Sequence, residues 1–427
     1  MQTIMKAKFF FLLVISFFYC FSAQAQLKKA TQIALWSPKQ SRDSVKGLIQ
    51  NCRELQNWQK KMISGLLLPH AHSKHALSIY RIEYETQGIK GEKVIASGAV
   101  FLPQLADSLS IVVYEHGTAY SRFTVPSFLS STNDRVECAF PLIFASDKFI
   151  VVEPDYVGWG TGTGKFGYMH AKTEANCTID MLRATNQLLD SLKVKRTKNL
   201  FLSGYSQGGH AAMATAREIK AHCASEFPIK CLVLGSGPYP LAYTSKLGMS
   251  DKNAFFNPEV GNNMLLVLAG AQNVKGNIYA SRQEAIQPAY DSIFAKYIEN
   301  LEAEAKFVLP KEWVTVFQPA YFQAILTDTN HPIWQFLKEN EVDEWVNPYP
   351  TYLFYTRQDE EVPFESSLKT AETQRKLYEA QTHQKAKHIH LSHLGIMGMI
   401  KIPQNQNHRF FSIPSFLKAR KIFLRMS

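Results

Sequence analysis

The segment Asn199-Leu200-Phe201-Leu202-Ser203-Gly204-Tyr205-Ser206-Gln207-Gly208-Gly209-His210-Ala211-Ala212 couples an apolar strand to an alanine-rich helix through a serine flanked by glycines. A serine on a sharp strand-to-helix turn presents its hydroxyl above the edge of a sheet, and the tight backbone leaves no room for side chains two positions to either side. Gly204 and Gly208 occupy those positions, and Gly209, Ala211 and Ala212 are small enough for the first helical turn to pack on its own strand. A bare Gly-x-Ser-x-Gly match is weak in a chain of 427 residues, and the strand and helix around it give it weight. The segment predicts a nucleophile elbow at Ser206, with a plain glycine-rich turn as the competing reading.

Outward from the elbow, Ile111-Val112-Val113-Tyr114, Phe149-Ile150-Val151-Val152, Lys230-Cys231-Leu232-Val233-Leu234 and Tyr352-Leu353-Phe354-Tyr355 are short, continuous apolar runs bounded by turn residues. Strands buried on both faces of a parallel sheet read this way. Helical patterns separate them, above all residues 172–192, whose Ile179, Leu182, Leu188, Leu189 and Leu192 approximate one apolar face. Strand and helix in alternation predict a doubly wound, mostly parallel α/β sheet. Two β-rich runs, 76–85 and 94–102, are split by Gly88 and Gly91 and predict an antiparallel hairpin. Residues 26–73 read as a polar, helical lead-in. Residues 236–347 break the rhythm, with helical runs at 282–305 and 319–326, many aromatics and no apolar strand. The expected organisation is a signal peptide over 1–25, a first core part over 26–235, an inserted helical cap or lid over 236–347 and a second core part over 348–427. Insertions in such sheets commonly sit at the functional edge, which places the cap over the carboxyl ends of the strands.

At 46% apolar composition the chain can bury a large core. Lys6 and Lys8 precede an apolar run over 9–21, followed by Ala23-Gln24-Ala25, the small-x-small pattern of a cleavage site. The run falls short of the roughly 20 apolar residues of a spanning helix. Gln26 is therefore the expected first mature residue, in a secreted or periplasmic protein. The formal net charge is +11, spread along the chain except for the cluster Lys418, Arg420, Lys421 and Arg425. That cluster could touch an acidic membrane surface; nucleic acid is not an expected partner. Six cysteines leave five after cleavage, an odd number that cannot pair completely, with Cys223 and Cys231 the nearest in sequence. His70, His72 and His75 read as a solvated loop. Neither metal nor organic cofactor is expected.

A serine hydroxyl becomes a nucleophile when a histidine takes its proton and an acid orients that histidine. Asp359, in Arg357-Gln358-Asp359-Glu360-Glu361-Val362-Pro363 just past an apolar strand, is the expected acid, with Glu360 and Glu361 as alternatives. For the base, His388, His390 and His393 compete. The first two alternate along a strand, whereas His393 stands at its end, so His393 is expected and His390 comes second. The oxyanion of acyl transfer needs two backbone donors. One is expected from the amide of Gln207, directly after the nucleophile, and the other from Gly117 or Thr118 in His116-Gly117-Thr118.

Four segments together resemble the secretory-lipase-like branch of the α/β-hydrolases. They are Tyr114-Glu115-His116-Gly117-Thr118 with Pro126-Ser127; Glu153-Pro154-Asp155-Tyr156-Val157-Gly158-Trp159-Gly160; Asp180-Met181-Leu182-Arg183-Ala184; and Gly204 to His210. In the last third the likeness rests on Asp359, Val362, Pro363 and His393. The chain departs from the pattern at Gly160-Thr161-Gly162, where an Asp-Ser pair usually follows the glycine. The resemblance implies an α/β-hydrolase fold with a helical lid, a secreted esterase or lipase acting on a small-molecule or lipid ester, a triad of Ser206, Asp359 and His393, and a structural role for Asp155. Two other functions compete. A serine exopeptidase on the same scaffold is disfavoured because Gln207 is not aromatic, and a non-catalytic envelope or binding protein is disfavoured because every triad type occurs in the required order.

Overall fold

The computed structural model describes residues 25–52, 55–129, 136–300, 308–394 and 407–427. The expected leader lies outside the described residues except for Ala25. Nine strands are described: β1 (Leu27–Trp36), β2 (Leu77–Gln87), β3 (Lys93–Pro103), β4 (Leu109–Glu115), β5 (Phe149–Pro154), β6 (Arg196–Tyr205), β7 (Ile229–Gly235), β8 (Thr351–Tyr355) and β9 (Ile389–His393). They form one sheet in the order β1-β2-β3-β5-β4-β6-β7-β8-β9. The pairs from β1 to β5 through β3 are antiparallel, and the run β5-β4-β6-β7-β8-β9 is parallel.

Strand side chains alternate between faces, so each apolar run feeds two cores. On one face Ile111, Val113, Ile150, Val152, Leu200, Leu202, Leu232 and Leu234 pack with the helices Ala171–Ser191 and Gln207–Glu218. On the other, Val112, Tyr114, Phe149, Val151, Phe201, Cys231 and Val233 meet the helices Pro38–Asn51 and Ala139–Ser146 and the C-terminal helix Asn407–Met426. This is a mostly parallel α/β-hydrolase sheet sandwiched between helical layers.

The hairpin of β2 and β3 pairs in continuous register from Leu77 with Pro103 to Gln87 with Lys93. The lead-in differs from expectation, because Leu27–Trp36 within it is the edge strand β1. Most of β1 is exposed, so it lacks the alternating apolar pattern by which a half-buried strand is recognised.

Between β7 and β8 the chain forms the helical insertion, including the helices Leu241–Ser250, Pro258–Lys275, Pro319–Thr327 and Pro332–Glu339. It has its own apolar core. Trp313 sits among Phe255, Phe317 and Phe322 with its indole N–H donated to the Ala254 carbonyl at 2.7 Å. The same cluster takes in Tyr156, Trp159, Phe166 and Tyr168 from the loop after β5, which joins the cap to the sheet's carboxyl end. Cys177, Cys223 and Cys231 are free thiols, so Cys223 and Cys231 do not bridge.

Candidate active site

Ser206 stands between β6 and the helix Gln207–Glu218 at φ 57 and ψ −123, a conformation that non-glycine residues rarely adopt. Neighbouring backbone holds it there: the Ser206 amide donates to the Gly235 carbonyl at 3.0 Å, and the Ser206 carbonyl accepts from Gly209 at 2.9 Å. A Cβ at Gly204 would overlap the Gly208 carbonyl, and one at Gly208 would overlap the Glu115 carbonyl. The two glycines let β6, its helix and the end of β4 close around the serine.

Asp359 lies in the loop after β8. Its Oδ1 accepts from the amides of Glu361 at 3.1 Å and Val362 at 2.9 Å, which fixes the carboxylate. The imidazole it meets is that of His408, whose Nδ1 lies 2.8 Å from Oδ1 and 2.9 Å from Oδ2. The side chains are 4% and 1% exposed, so the pair is screened from water. Tyr205, adjacent to the serine, packs its ring 5.0 Å from the His408 ring and donates its hydroxyl to the His408 carbonyl. With Nδ1 turned to the carboxylate, Nε2 is the nitrogen left to exchange a proton. It is buried and has no hydrogen-bond partner among the described residues, Ser206 Oγ included. Hydrogen bonds of this kind commonly tighten only when substrate is bound. Burial alone would lower the His408 pKa, but the charges of Asp359, Glu361 and Glu360 outweigh it and push the imidazole up to about 9.

The structure therefore brings His408 to the expected acid, and not His393 as expected. His393 ends β9, is exposed, pairs in the ladder with Tyr355 and rests its ring against that tyrosine. Its neighbours in the cluster are also engaged elsewhere, His390 stacked on Tyr352 and His388 bonded to the Asn347 carbonyl. A residue held in a strand ladder cannot swing to the acid, whereas His408 occupies the first turn of the last helix. Asn407-His408-Arg409 opens the last helix at the end of a polar run, and no periodicity singles out its histidine in the sequence.

Glu360 and Glu361 remain close to the pair without taking its place. Glu360 Oε1 accepts the His408 amide at 3.3 Å, and burial raises the Glu360 pKa to about 7. Burial likewise raises Glu361.

On the oxyanion side, the Gln207 amide opens its helix and so has no intrahelical acceptor. Its side chain is fixed from below, donating at 2.9 Å to Glu174, whose other oxygen meets His210 Nδ1 at 2.8 Å. His210 Nε2 in turn donates to the Asn340 carbonyl at 2.8 Å. Gly117 is corrected as a donor, because its amide is already given to Glu137 Oε1 at 2.9 Å, an oxygen that also accepts the Tyr114 hydroxyl at 2.8 Å. Thr118 keeps an amide without an acceptor among the described residues, and its hydroxyl lies 2.7 Å from that of Tyr168. Asp155, expected to be structural, is buried and accepts from Ser97 Oγ at 2.5 Å and the Ser127 amide at 2.9 Å. Ser97 Oγ also accepts the Thr161 amide at 3.0 Å, which shapes the atypical Gly160-Thr161-Gly162 turn.

Residues 129–394 match the family model described as secretory lipase, a span that contains Ser206 and Asp359 and stops short of His408. Among solved structures, the rice cell wall degrading esterase LipA from Xanthomonas oryzae is 23% identical with a TM-score of 0.71, covering 93% of this chain and 96% of its own. A putative hydrolase from Legionella pneumophila is 20% identical with a TM-score of 0.74 over 94% of this chain and 98% of its own. Candida antarctica lipase A superposes with a TM-score of 0.55 at 16% identity over 74% of this chain and 71% of its own. These likenesses speak to the fold alone. No curated protein matches the sequence. With most of its length matched by the family model, the chain belongs to the secretory lipase family, hydrolases of the lipase and esterase type.

Proposed function

We propose that the protein is a secreted carboxylic-ester hydrolase working through an acyl-serine intermediate, with Ser206 as nucleophile, His408 as base and Asp359 as the acid that orients it. The observation that carries this reading is the buried Asp359–His408 pair clamped by Tyr205, the residue next to a strained serine. Ser206 Oγ attacks the ester carbonyl while His408 Nε2 takes its proton. The amides of Gln207 and Thr118 receive the oxyanion. As the carbonyl reforms, the bond to the alcohol breaks and His408 returns the proton to the departing oxygen. Water then repeats the sequence on the acyl-serine and releases the acid, leaving serine and imidazole as they began.

Substrates are small-molecule or lipid esters, as family membership implies. The test is turnover of a p-nitrophenyl ester series and of aminoacyl anilides by the mature protein. Ester cleavage without anilide cleavage is expected, lost in Ser206→Ala. Anilide cleavage at a comparable rate would make the protein a peptidase, and turnover of neither would sink the reading.

A further inference from the structure

One polar cluster beside the triad joins four separate segments. Arg409, next to His408 on the first turn of the C-terminal helix, places Nη2 2.7 Å from Glu259 Oε2. Glu259 belongs to the first turn of the cap helix Pro258–Lys275, where a carboxylate also gains from the positive end of the helix. The Tyr120 hydroxyl, from the loop after β4, lies 3.1 Å from the same Glu259 oxygen and 2.9 Å from Asn263 Oδ1. Asn263 Nδ2 lies 3.4 Å from Glu361 Oε2, in the acid loop. Asn257, the cap of the same helix, accepts the Glu259 amide at 3.0 Å and donates to the Glu360 carbonyl at 3.3 Å. One end of one cap helix thus holds both the acid loop and the base helix.

This matters because Asp359 fixes the imidazole ring while the first turn of a helix is held by fewer of its own hydrogen bonds than the interior. Its orientation depends on outside anchors. Tyr205 supplies one on the sheet side, and the Glu259–Arg409 pair supplies another on the cap side. Arg409 is about one-third exposed while Glu259 is mostly buried, so the carboxylate is the fixed partner and the guanidinium the follower. Tyr120 restrains the carboxylate further.

Resting on the triad reading above, we propose that Glu259 is a positioning residue for His408, acting through Arg409, so that the cap sets the geometry of the base as well as covering the site. The experiment measures kcat, KM and the thermal unfolding midpoint of the mature enzyme with p-nitrophenyl butyrate. The variants are Glu259→Gln, Arg409→Met, Arg409→Lys and the double variant Glu259→Gln/Arg409→Met, with Ser206→Ala as control. Each of Glu259→Gln and Arg409→Met is expected to lower kcat by about 10- to 100-fold with KM changed by less than about threefold, the signature of a lost transition-state geometry. The double variant should be no slower than the worse single, because the two side chains act as one unit. Arg409→Lys, which keeps the charge, should recover part of the loss.

Unchanged kcat in both single variants, or losses that multiply in the double, would overturn the proposal, as would a lowered midpoint with kcat intact. Arg409→Met is partly exposed and keeps the test open if Glu259→Gln fails to fold. Turnover persisting in Ser206→Ala would instead strike at the triad reading itself, so the two failures are told apart.

Discussion

His408 and His393 separate two accounts of the same chemistry. Removing a triad base costs on the order of 10⁴- to 10⁶-fold in kcat. His408→Ala is expected to fall in that range, and His393→Ala, an exposed strand end, to stay near wild type in the same ester assay. The charge around His408 adds a pH signature. The base must be deprotonated to act, and Asp359, Glu361 and Glu360 hold its proton up to a pKa of about 9. Activity should therefore climb with pH through the neutral range toward about 9 rather than level off near an ordinary imidazole value. Glu360 is itself raised to about 7 by burial, so it is charged where His408 titrates. Glu360→Gln removes one charge that stabilises the imidazolium, and the acidic limb of kcat/KM should move to lower pH. An unmoved limb would show that Glu360 does not act on the base. The turn at Ser206 was legible because glycine spacing records a backbone demand, and the loop that carries Asp359 because it follows a recognisable strand. His408 was not, since a lone histidine in a polar run carries no periodicity and a cluster of three stood nearer the strand.

The elements carry a second kind of constraint. The elbow works only if β6, its helix and the end of β4 approach closely, and Gly208 is where they meet the Glu115 carbonyl. Overpacking of this sort typically costs about 1–3 kcal/mol. Gly208→Ala should lower the unfolding midpoint and depress turnover together, and a stable, active variant would show that the backbone can yield there. In the cap, Trp313 is buried among three aromatic rings, those of Phe255, Phe317 and Phe322. Trp313→Ala is expected to cost about 3–5 kcal/mol, read by denaturant unfolding. The parallel strands were legible because strands buried on both faces are continuous apolar runs. β1 escaped because an exposed edge strand shows no such run.

At the scale of the molecule, the alternation of strands and helices made the sheet and its insertion readable, while the contacts joining cap, acid loop and base helix were not. Those contacts depend on side chains up to 150 positions apart meeting, as Glu259 and Arg409 do, and no local pattern encodes that. Part of the basic C-terminal cluster also proves to be internal structure: Arg420 pairs with Asp147 at 2.5 and 2.6 Å. For export, we propose cleavage after Ala25. β1 begins at Leu27, so cleavage there would leave the sheet intact. Mass spectrometry of protein from the native host should find Gln26 at the mature terminus, and retention of residues 1–25 would contradict secretion by this route.

The account stands on Ser206 being activated by His408. Treatment with a fluorophosphonate, followed by peptide mapping, tests this directly. One phosphonyl adduct on Ser206 is expected, formed in step with loss of ester turnover, absent from Ser206→Ala, strongly slowed in His408→Ala and undiminished in His393→Ala. An adduct on another residue, or labelling that depends on His393 and not on His408, would contradict it.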